Sequence, residues 1–150
     1  MTHEDRGHYS KKHPPGRTPR PEVVAAVQER APGGEISCVA AHEIARALEV
    51  PPEEVGFTLD RLELRIIRCQ LGLFGYTPLK RTVRPADHVP QDLERAIRDS
   101  LERGRLSCKN AWDLAADFGM AKMAVSSACE ALGIKITSCQ LGAFKRSEES

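Results

Sequence analysis

GEISCVAAHEIARALEVPPEEVGFTLDRLELRIIRCQLGLFG (residues 34–75) aligns without a gap on GRLSCKNAWDLAADFGMAKMAVSSACEALGIKITSCQLGAFK (residues 104–145), at an offset of 70. Gly34, Ser37, Cys38, Ala41, Ala45, Val55, Leu62, Ile66, Cys69, Gln70, Leu71, Gly72 and Phe74 recur as Gly104, Ser107, Cys108, Ala111, Ala115, Val125, Leu132, Ile136, Cys139, Gln140, Leu141, Gly142 and Phe144. Most other pairs exchange one apolar residue for another, as Ile36 for Leu106 and Leu48 for Phe118. Chance does not produce an ungapped match of this length, so the chain reads as a tandem duplication.

Working outward, PEVVAAVQERA (21–31) and QDLERAIRDSLERG (91–104) each place apolar residues at helical spacing behind an acidic first turn. Each copy then offers a short apolar stretch after a glycine and an Ala-rich helix (39–49 and 109–118). A brief turn leads to a third helix (52–63 and 122–132), and a β-branched segment ends in Gln-Leu-Gly. The expected fold is mainly α, with two three-helix modules, each carrying a short β element. Module 1 spans 21–76 and module 2 spans 90–146, joined by an extended linker at 77–89. A disordered basic tail is expected at 1–20 and a short tail at 147–150.

Closely crossing helices need a small residue at the crossing and a residue that tolerates positive φ in the turn. Leu114, Ala115, Phe118, Gly119, Met120, Val125 and Ala128 meet that pattern in the second copy. Ile44, Ala45, Leu48, Glu49, Val50, Val55 and Thr58 stand there in the first, with Glu49 in place of the turn glycine. Over about 45 residues of each repeat, the chain resembles the helix-turn-helix and winged-helix superfamily. The resemblance implies a small DNA-binding regulator whose third helix enters the major groove.

In module 2 the exposed face expected for that helix includes Lys122, Ser126 and Ser127, with Lys109, Arg105 and Lys135 as flanking phosphate contacts. In module 1 the matching positions hold Pro51, Pro52, Glu53, Gly56, Phe57 and Asp60. Carboxylates there would face phosphate oxygens, so module 1 is expected to contact its twin or a protein partner, through Phe57. The alternative for the whole chain is a protein-interaction adaptor, or a cysteine-based metal or redox sensor. The tail segment KKHPPGRTPR either tracks phosphates or is a solvated extension.

Cys38, Cys69, Cys108 and Cys139 occupy matching places, and three readings compete for them. They are buried small residues, a redox pair in each module, or ligands for zinc or an iron–sulfur cluster. The separation within each pair gives no CxxC knuckle, and His42 is replaced by Trp112 in the second copy, so burial is favoured and no cofactor is assigned. Cys129, aligned with Leu59, reads as core. Gln70 and Gln140 have no packing explanation beyond a backbone or partner hydrogen bond.

Net charge is +1, but residues 20–76 carry nine acids against six Lys and Arg, whereas 90–146 carry nine Lys and Arg against seven acids. No apolar run is long enough to span a bilayer, and no secretory signal is evident, so no membrane contact and a cytoplasmic location are expected. There is no phosphate-binding glycine loop, nucleophile elbow or paired-histidine motif, and no enzymatic activity is expected.

Overall fold

The structure, a computed structural model, describes residues 13, 14, 16–76 and 81–143. Most of the basic tail (1–12), part of the linker (77–80), Phe144 and the tail at 147–150 lie outside the described residues.

The fold is mainly helical with short strands. One order of elements occurs twice. It runs α1 (Pro21–Arg30), β1 (Glu35–Ser37), α2 (Cys38–Leu48), α3 (Pro52–Arg61) and β2 (Arg65–Ile67). It then runs α4 (Gln91–Asp99), β3 (Leu106–Ser107), α5 (Cys108–Phe118), α6 (Lys122–Leu132) and β4 (Ile136–Thr137). The second of the first-type helices is shorter than its pattern suggested. The chain after α4 turns at Arg103 and Gly104, both at positive φ, and closes an antiparallel bridge between Glu102 and Arg105.

Local chemistry explains where the helices start and stop. Ser37 and Ser107 cap α2 and α5 with the same backbone angles, φ −74° and ψ 153°. Their hydroxyls accept the N–H of Ala40 and of Asn110, each at 3.1 Å. A capping hydroxyl satisfies one of the orphan donors of the first turn. Both helices end in a left-handed residue, Glu49 at φ 55° and Gly119 at φ 63°. The next N–H groups, of Val50 and Met120, then reach back to Ala45 O (3.0 Å) and Ala115 O (2.9 Å). Glu49 therefore adopts the conformation that glycine supplies in the second copy, at a steric cost glycine avoids.

The chain divides into two compact units whose membership crosses the repeats. Among the described residues, unit 1 runs to Cys69 and includes 140–143, and unit 2 begins at Gln70 and runs to Cys139. In unit 1, α1 packs on α2 and α3 around Val23, Val27, Ala41, Ile44, Val55 and Leu59. In unit 2, α5 packs on α4 and α6 around Leu93, Ile97, Ala111, Leu114, Val125 and Ala128. Burying each large aliphatic chain contributes about 1.5–3 kcal/mol before entropic losses.

The expectation placed each closing Gln-Leu-Gly at the end of its own module. Compactness instead groups Gln140–Ala143 with α1–α3, and Gln70–Gly72 with α4–α6. Leu71 and Leu141, at most 1% exposed, are the apolar anchors of the two segments.

The β elements also differ from a wing. β1 pairs with β2 in parallel, Ile36 opposite Ile66, and β3 pairs with β4 in parallel, Leu106 opposite Ile136. A wing is an antiparallel hairpin after the third helix. Among the described residues the strand after the third helix pairs only with the strand before the second, and Gln-Leu-Gly leaves it as a turn.

Candidate nucleic-acid interface

The third helices are the natural place to look for a nucleic-acid-reading surface, and the structure covers much of both. In α3 six consecutive residues, Val55 to Asp60, are buried. A solvated helix keeps a polar face, whereas burial on all sides marks a helix enclosed by its own protein. Part of the cover comes from the chain before α1. His13 Nε2 lies 2.6 Å from Asp60 Oδ2, and the His13 ring meets Phe57 edge-on. The Arg17 guanidinium stacks 3.7 Å from the centroid of Phe57. Arg17 and Arg20 both reach Glu54, and Arg61 donates to the carbonyls of Arg17 and Pro14.

Two expectations are corrected by this arrangement. The part of the basic tail that is described, from His13 on, is docked on α3, with its guanidiniums committed to Glu54 and to the ring of Phe57. Phe57 itself, 2% exposed, lies beneath that strap and presents no surface to a partner.

In α6 the same layout recurs with residues 81–86, the second half of the expected linker. Gly72 O accepts the N–H groups of Thr82 (2.8 Å) and Val83 (3.1 Å), which ties this stretch to the Gln-Leu-Gly turn. Ala86 donates its N–H to Ser127 O at 3.0 Å, and Arg81 pairs with Glu130. Gly72, at φ +75°, sits in a backbone conformation that side-chain-bearing residues rarely adopt, and its surroundings are tight. A Cβ would sit 3.0 Å from Val83 N and 3.1 Å from Met123 Sδ.

The sequence-predicted site residues therefore separate. Ser126 is fully buried, which removes it from any base-reading role; the helical pattern put it on the exposed face because the covering segments are distant in sequence. Ser127 is half-buried beside Ala86. Lys122 opens α6, half-buried, with Nζ 4.5 Å from the ring centroid of Trp112. Lys109 is exposed and pairs with Asp113 at 2.9 Å, an i,i+4 surface pair worth about 0.3–0.5 kcal/mol. The positions of α6 that face solvent openly are Ala124 and Ala131, with Ala121 exposed just before the helix begins.

Arg105 and Lys135 are brought together. They immediately precede the parallel register of Leu106 with Ile136, and the N–H of Leu106 donates to Lys135 O at 3.0 Å. Lys135 is exposed and Arg105 half-buried. The equivalent residues of unit 1, Glu35 and Arg65, face each other across the ladder as an ion pair at 3.5 Å. The matched places thus hold an ion pair in unit 1 and two cations in unit 2, where Arg105 also bridges Glu102 through the main chain.

None of the five cysteines is joined in a disulfide. Cys38 and Cys108 begin α2 and α5, Cys69 and Cys139 follow β2 and β4, and all but the half-buried Cys139 are buried. Among the described residues no group of three or more His, Cys, Asp or Glu side chains is arranged to hold a metal ion. Cys129 is 1% exposed in the core, and burial, followed by the charge of Glu130, pushes its thiol up to about 11. Among the described residues no helix is long and apolar enough to cross a membrane.

Comparison with protein-family models, with curated proteins and with solved structures finds no match. The functional reading therefore rests on the residues themselves.

The sequence reading missed the straps. Its one available signal was that the offset of 70 continues upstream, setting Pro15 against Pro85 and Lys11 against Arg81.

Proposed function

We propose that the protein is a small nucleic-acid-binding regulator, a variant on the helix-turn-helix theme. It engages the sugar–phosphate backbone through unit 2 rather than base edges through a free third helix. Arg105 and Lys135 are the central contacts, and Lys109 and Lys122 flank them. Ser127 accepts the N–H of Ala86 through its carbonyl and is not among the contacts.

The observation that carries this reading is the contrast at the ladder edge. Two cations stand in unit 2 where unit 1 has the Glu35–Arg65 pair. Like charges close together at the end of a ladder repel, and a phosphate between them would turn that repulsion into attraction. Phosphate attraction also supplies most sequence-independent affinity for nucleic acid. The alanine surface of α6 fits the same reading, because alanine offers no hydrogen bond to a base edge.

The test is binding of a mixed-sequence DNA duplex at low salt by the wild type and by the double variant Arg105→Glu with Lys135→Glu. The reading predicts a loss of affinity of tenfold or more in the double variant, while Arg65→Gln binds as the wild type does. Equal binding by all three proteins would remove Arg105 and Lys135 from the interface.

A further inference from the structure

Unit 2 sets an aromatic ring among cations. Trp112, the single tryptophan of the chain, lies half-buried on α5 with its indole nitrogen on the buried side. Lys122 Nζ sits 4.5 Å from the ring centroid. Lys109 stands one turn before Trp112 on α5, its side chain 70% exposed and paired at the surface with Asp113 at 2.9 Å, a contact a phosphate would replace. In unit 1 the three places hold His42, Pro52 and Val39, and His42 is buried, so this set belongs to unit 2 alone.

We infer that Trp112 is a stacking platform for an unpaired base, with Lys122 and Lys109 taking the phosphates on either side of that nucleotide. The inference rests on the reading that unit 2 binds nucleic acid, and adds a preference for single strands. Every base has a π-face, so stacking on an indole needs no particular sequence, whereas a paired base inside a duplex exposes only its edges to a protein surface. Lys122 now satisfies its charge over the ring. An arriving base displaces the ammonium from the ring face, and the phosphate of the same nucleotide receives it, so the cation keeps an electrostatic partner throughout. Base-edge discrimination is not required, in keeping with the alanines on α6.

The single tryptophan reports on its own site. Oligo(dT) and a mixed-sequence duplex of equal length are titrated into the full-length protein at low salt, following intrinsic fluorescence and, separately, anisotropy of a label on the nucleic acid. Oligo(dT) is expected to quench the fluorescence and to bind more tightly than the duplex. Trp112→Ala should lower oligo(dT) affinity about tenfold with duplex affinity unchanged, and Trp112→Phe should recover most of the loss. Circular dichroism establishes that each variant is folded, and Trp112→Phe keeps the test valid if the alanine variant is not. Duplex binding without quenching by oligo(dT), or a Trp112→Phe variant that fails to bind oligo(dT) while still folded, overturns the inference and leaves the backbone-binding reading standing. Binding of neither nucleic acid overturns both.

Discussion

A Cβ placed on Gly56 would overlap the carbonyl of Leu141 and lie 3.1 Å from Leu141 Cα, so the closing segment of the second repeat runs directly against α3 of the first. Glycine in a helix interior gives up about 1 kcal/mol of helix propensity relative to alanine, and here the close approach of the main chain explains its presence.

Gly56→Ala is therefore expected to destabilise the protein by about 2 kcal/mol in urea unfolding, the overlap outweighing the propensity gain. A neutral or stabilising effect would show that residues 140–143 do not occupy that site.

The two serine caps make matched predictions. Ser37→Ala and Ser107→Ala each remove a hydroxyl that accepts a first-turn N–H at 3.1 Å. Each should cost about 1 kcal/mol. The two losses should be alike, because the capping angles are the same.

Glu49 and Gly119 should respond with opposite signs. Glu49→Gly relieves a left-handed side-chain-bearing residue and is expected to stabilise by about 1 kcal/mol, while Gly119→Ala introduces the same strain and destabilises by about as much. Thermal unfolding of the two single variants separates them, and a shift in the same direction for both would contradict the shared turn geometry.

Cys129 gives a pH prediction. Its thiol is held up at about 11, against 9.0 for an ordinary thiol, by burial and then by the charge of Glu130. Because the folded state holds the proton more tightly than the unfolded state, the stabilising contribution is complete below pH 9.0 and is lost as pH rises toward about 11. Unfolding free energy should fall over that window in the wild type and fall less in Cys129→Ala. The thiol should also resist alkylation at neutral pH in the folded protein.

The local part of the fold was open to reading from sequence because its causes are local. Apolar spacing at 44, 45 and 48, the capping serines and the turn at 49 or 119 each declare themselves within a few residues. The exchange of the closing segments was hidden by the duplication itself. Leu71 and Leu141 stand in matching Gln-Leu-Gly segments, and no pattern in sequence says which leucine fills which unit.

The straps were hidden differently. The Pro-rich stretches read as a disordered tail and an extended linker, and the anchors His13 on Asp60, Arg81 on Glu130 and Ala86 on Ser127 join positions more than 40 residues apart with no periodicity to announce them. For the same reason Ser126 and Phe57 fell on faces expected to be open. The Arg105 and Lys135 pair was legible as two flanking cations. Its significance came only with the parallel register that set it beside Glu35 and Arg65.

The most direct measurement is the salt dependence of duplex binding. Affinity of the full-length protein for a mixed-sequence duplex is followed across a series of sodium chloride concentrations, for the wild type and for Lys135→Gln. If Arg105 and Lys135 each neutralise a phosphate, the logarithm of affinity falls linearly with the logarithm of salt, and the slope for Lys135→Gln is shallower by about one unit. A wild-type affinity insensitive to salt, or an unchanged slope in Lys135→Gln, would contradict the assignment of unit 2 as a phosphate-binding surface.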